Sequence, residues 1–68
     1  MPWNKKLAWS AFWSNLINER EYGYIVADIE NTYFLNTMRA EALLLKGEIT
    51  QSQYEKLIAE AKNAFHGQ

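Results

Sequence analysis

The run Lys46-Gly47-Glu48-Ile49-Thr50-Gln51-Ser52-Gln53 restricts what this chain can fold into more than any other stretch. Residues 38–46 before it are almost all strong helix formers. A cation near the carbonyl end of such a segment, followed by a glycine able to turn left-handed, is a helix ending. Thr50 with Gln53 three residues on is a capping box that opens the next helix, and Ile49 and Tyr54 stand at the positions of a hydrophobic staple across it. Beyond the cap, Tyr54, Leu57, Ile58, Ala61 and Phe65 line one face, while Gln51, Ser52, Glu55, Lys56, Glu60 and Lys62 take the other. Lys62 suits the last turn and Gly67 the stop. A link this short, residues 47–50, makes the two helices antiparallel neighbours.

Upstream, residues 4–18 read as a helix, with Trp9, Phe12, Trp13, Leu16 and Ile17 recurring on one face. Pro2 suits a first-turn position and Asn4 a cap, and either can start the helix. Residues 24–46 carry two apolar faces. Tyr22, Ile25, Val26, Ile29, Tyr33, Leu43 and Leu44 form one; Phe34, Leu35, Met38, Ala42 and Leu45 form the second. A helix greasy on both sides is one packed between neighbours. The alternative is a β-hairpin at about 22–35, because Tyr22–Val26 and Thr32–Leu35 are rich in aromatic and β-branched residues and Asp28 and Asn31 can bracket a turn. The expectation is therefore one small all-α domain over residues 1–68, with three helices, a C-terminal antiparallel hairpin and the first helix lying across it. The α+β version with the short hairpin is its rival.

Leu43-Leu44-Leu45-Lys46-Gly47-Glu48-Ile49-Thr50-Gln51-Ser52-Gln53-Tyr54-Glu55-Lys56-Leu57 resembles the SHOCT (short C-terminal) helical hairpin. That family joins a leucine-containing helix to one with an early aromatic through a Gly-x-Ile-Thr turn. Its acidic residues after the turn are replaced here by Gln51, Ser52 and Gln53. SHOCT hairpins are usually appendages that mediate association, so the resemblance implies an interaction role and not chemistry.

The residues needed for most chemistry are sparse. The chain has no cysteine and a single histidine, His66, near the end of the sequence, where a solvated side chain is the expectation. Converging metal ligands cannot be assembled from one imidazole and no thiolate, so no metal site is expected. Asp28 and Glu30 are two apart, which on a helix aims them in different directions. Gly23, Gly47 and Gly67 stand alone and make no phosphate loop. No catalytic residue, cofactor or small-molecule substrate is expected. A net charge of −1 does not suit phosphate neutralisation. The helix opened by Gln51, Ser52 and Gln53 carries the self-cancelling charges Glu55, Lys56, Glu60 and Lys62, so a helix-turn-helix reader of nucleic acid is disfavoured.

The N-terminal segment stands apart. Residues 1–18 hold Lys5, Lys6, no acid and all three tryptophans, whereas residues 19–68 hold five basic against eight acidic residues. Tryptophan is enriched at binding hot spots. In a chain of only 68 residues, whose interior has little room, an aromatic helix has more surface than the domain can cover. Trp3, Lys5, Lys6, Trp9 and Trp13 are the expected partner-binding residues: indoles seated in a dry pocket, lysines at the rim steering an acidic partner. That pattern predicts a cytoplasmic, non-enzymatic accessory or regulatory protein that docks a larger protein or another copy of itself. A narrower form is an inhibitor of a host enzyme, as many small phage proteins are. The alternative is an amphipathic protein resting on a membrane surface.

Overall fold

The computed structural model describes residues 3–67, and all its regular structure is helical. Three helices follow in order: α1, Lys5–Trp13; α2, Glu19–Leu45; α3, Gln51–His66. The all-α expectation holds. Residues 22–35 lie wholly inside α2, and no strand occurs among the described residues, so the hairpin alternative is wrong. Local β propensity there gives way to a helix that buries Ile29 and half-buries Tyr22, Ile25, Val26 and Tyr33 along one side. Pro2 lies outside the described residues.

Each boundary has a local cause. Asn4, extended in backbone, accepts from the Leu7 amide at 2.7 Å and caps α1. The helix then stops at Trp13, five residues earlier than its apolar pattern predicts. Asn15 adopts the left-handed conformation (φ 60°), and the Leu16 and Asn15 amides donate to the Ala11 and Phe12 carbonyls at 2.9 and 3.2 Å. That pair of bonds is a Schellman ending, a position usually taken by glycine and next most often by asparagine. Leu16 and Ile17 thus belong to a connecting turn. Asn18 opens α2 with a complete capping box: it accepts from the Glu21 amide at 2.8 Å, and the Glu21 carboxylate accepts from the Asn18 amide at 2.9 Å. Thr50 and Gln53 make the same reciprocal pair at the start of α3.

The α2–α3 turn is a second Schellman ending. Gly47 sits at φ 74°, and the Glu48 and Gly47 amides donate to the Leu43 and Leu44 carbonyls, each at 3.0 Å. A Cβ at Gly47 would meet no atom within 4 Å, so only the backbone conformation resists a side chain. Gly47→Ala is therefore expected to lower stability by about 1 kcal/mol, read from urea unfolding, without altering helix content.

α2 is the spine. Its 27 residues span about 40 Å at 1.5 Å per residue, most of the molecule's 46 Å length. α3 packs back along it, and α1 lies chiefly on α2 with an edge on α3. Among the described residues the interior is built almost entirely of alanine: Ala8, Ala11, Ala40 and Ala61 are buried, with Ile29 the one large side chain beside them. Small residues let helices approach closely, but they fill little volume. The cost shows in shape. The radius of gyration is 14.4 Å, against about 11 Å for a compact chain of this length. The accessible surface is 5323 Å², against about 4,500 Å² for a compact protein of similar mass.

Candidate partner-binding surface

Nine residues of α1 carry the surface. On a helix, Lys6, Trp9 and Trp13 fall along one edge, while Ala8 and Ala11 point into the molecule and are buried. Trp9 is 52% and Trp13 66% exposed, and Leu16, just past the Schellman turn, extends the apolar surface. The indoles are ordered by what lies around them. Phe12 stacks on Tyr22 in the first turns of α2, with ring centres 5.0 Å apart and planes 29° from parallel. Trp9 touches both, at 6.0 Å from Tyr22 and 6.3 Å from Phe12. Trp13 meets Trp9 edge-on at 5.5 Å and Phe12 at 6.0 Å. Four rings thus interlock, two half-buried and two facing outward. Offset and edge-on ring pairs are the favoured arrangements, so the exposed indoles are held in place before anything binds.

The five residues singled out from sequence do not converge. Lys6, Trp9 and Trp13 share the outward edge. Trp3 is half-buried and lines a cleft of about 410 Å³ with Asn4, Ile29, Tyr33 and Phe65. Lys5 is turned inward: its ammonium lies 3.8 Å from the Glu30 carboxylate and 5.6 Å above the Phe65 ring. A charge expected at the rim, steering a partner, instead ties α1 to both other helices. The helical register explains this, because Lys5 lies about 100° from Lys6, on the side of Phe12 and Ala8. Leu16, exposed past the turn, and half-buried Tyr22, which supports the rings from behind, complete the surface, and neither is among the five.

Several other polar groups singled out in the sequence have structural roles. Gln53, a possible base-reading side chain in a helix-turn-helix, accepts from the Thr50 amide at 2.8 Å and closes the cap. His66 lies within the last turn of α3 and is exposed, as the sequence leads one to expect, with its ring edge-on to Phe65 at 4.8 Å. Asp28 and Glu30 part company, Glu30 toward Lys5 and Asp28 to the rim of the Trp3 cleft. Among the described residues no three potential metal ligands gather, and no helix is long and apolar enough to cross a membrane.

Comparison with protein-family models, with curated proteins and with solved structures returns no match. No family model supports the SHOCT resemblance read from residues 43–57.

Proposed function

We propose that this chain is a non-enzymatic interaction module, an accessory or regulatory protein of the cytoplasm that docks a larger protein through Trp9, Trp13 and Leu16, with Lys6 at the wet edge. The observation that carries the reading is the pair of indoles 5.5 Å apart, each more than half exposed, braced from behind by the Phe12–Tyr22 stack. A side chain of that size left in water is unfavourable unless something covers it, and aromatic anchors held in advance lose little freedom on binding. Inhibition of an enzyme by occlusion is the narrower form of the same proposal.

The test is affinity capture from the native host, followed by calorimetry with the recovered protein. Trp9→Ala and Trp13→Ala are each expected to weaken the complex by about 2 kcal/mol or more, with helix content unchanged. Lys6→Glu is expected to slow association at low salt and to matter little at high salt. Binding that survives both tryptophan substitutions overturns the proposal. So does a protein that binds no partner while its tryptophan emission shifts blue on anionic but not neutral vesicles.

A further inference from the structure

The second apolar face of α2, which the sequence pattern places against a neighbour, has none. Tyr24, Phe34, Leu35, Met38 and Leu45 are all half or more exposed, from 50% at Met38 to 88% at Leu45. Tyr24, Asn31, Met38 and Leu45 follow one another at intervals of seven, with Ala27, Phe34, Leu35 and Ala42 between them. At 100° per residue they fall within a stripe about 100° wide, diametrically opposite buried Ile29 and Ala40. This is the repeat of a helix that lies along another helix. α1 and α3 occupy the other side.

One flank of the stripe shows what fits it. Glu21, Asp28, Arg39 and Lys46 lie along that edge, acids in the N-terminal half and bases in the C-terminal half. All four are exposed. Lys5–Glu30 is the one ion pair among the described residues, so Asp28, Arg39 and Lys46 enter none with a described residue. The two acids are seven residues apart, and so are the two bases. When a second α2 is laid antiparallel so that Glu21 meets the partner's Lys46, the same register brings Asp28 to the partner's Arg39. Two-fold symmetry makes each pair twice. Glu21 uses one carboxylate oxygen for the Asn18 cap, which leaves the other for this contact. The axis passes beside Phe34, and Tyr24 comes level with the partner's Ala42 and Leu45. A parallel pair would set this flank against the one carrying Glu19, Glu30 and Glu41, where Arg39 meets an acid but Glu21 and Asp28 meet acids as well, so only the antiparallel pair matches opposite charges at all four positions.

From this we infer that the chain forms an antiparallel, two-fold dimer through the outer face of α2, with the Glu21–Lys46 and Asp28–Arg39 pairs setting direction and register. The area agrees. Five large side chains at these exposures present on the order of 600 Å² of apolar surface, and flanking residues bring the face near the roughly 800 Å² per partner of a standard interface. The surface in excess of a compact chain is of the same size. The dimer leaves Trp9 and Trp13 uncovered and does not depend on their having a partner.

Sedimentation equilibrium on the full chain tests it. A dimer is expected at about 100 μM, and Arg39→Glu or Asp28→Arg alone, each placing like charges together twice, is expected to weaken it about tenfold. The two substitutions combined restore opposite charges and are expected to return the affinity to within about threefold of the parent. Trp13→Ala is expected to leave it unchanged, which separates this dimer from the partner surface on α1. Because the chain has no cysteine, Glu21→Cys and Lys46→Cys report direction: oxidation should cross-link the two variants when mixed, and neither to itself. A monomer at that concentration, a double variant as weak as the single ones, or cross-links between like positions each overturn the dimer.

Discussion

Ile29→Ala is expected to leave the protein largely unfolded at 25 °C, with far-UV circular dichroism falling toward the coil value. Ile29 is the one large side chain in the buried set, 5% exposed between α2 and the helices packed on it. Truncating a buried isoleucine removes its burial and leaves a cavity, at a cost of about 2–5 kcal/mol. A single core of this size supplies only about 3–5 kcal/mol in all. Ala61 and Ala64 beside it carry only methyl groups with which to fill the gap, and the rings of Tyr33 and Phe65 are held against each other. Leu45→Ala is the control. At 88% exposure it should leave the monomer's helix content intact and act only on association.

Ala40→Asp is expected to be comparably severe, and its effect depends on pH with a definite sign. Ala40 is 2% exposed, in the seam where Ala61 of α3 closes on α2. A carboxylate there has no buried cation to pair with, since among the described residues no buried side chain is polar or charged. An unpaired buried charge costs about 3–5 kcal/mol. Burial raises the folded-state pKa of such an aspartate above its unfolded value of about 3.9. Below that value the group is protonated in both states and the penalty is smallest. As pH rises from there through the raised folded pKa, the unfolded chain gives up its proton first and stability is lost. Thermal unfolding of Ala40→Asp should therefore show a higher midpoint at pH 3.5 than at pH 7 relative to Ala40→Asn, which cannot ionise. Equal behaviour of the two variants across that range would show that the seam admits water.

The parts of this fold that could be read from the chain alone are those written in local chemistry. The turn from Lys46 to Gln53 is specified by a glycine that must sit at positive φ and by a reciprocal cap, and both are as expected. The end of α1 is equally local, but Leu16 and Ile17 continue the apolar spacing and hide it, although Asn15 as a stop and Asn18 with Glu21 as a start are both written in the chain. Here the capping residues win because a backbone with unpaired amides and carbonyls costs more than an interrupted stripe. The packing was less legible. Two apolar faces on α2 predict neighbours on both sides, yet the chain supplies helices for only one. Of the site, Trp9, Trp13 and Lys6 were recoverable from their spacing, whereas the inward turn of Trp3 and Lys5 depended on where Glu30 and Phe65 arrive from the other helices.

α1 has nine residues, fewer than the twelve to fifteen at which an isolated helix becomes even marginal in water. Its shape is borrowed from Tyr22, on which Phe12 stacks, and from Glu30 and Phe65, which Lys5 contacts on the other two helices. A synthetic peptide copied from this segment would carry the right side chains with none of their arrangement. A mimic or competitor has to keep the start of α2 attached, or replace it with a covalent staple across the helix.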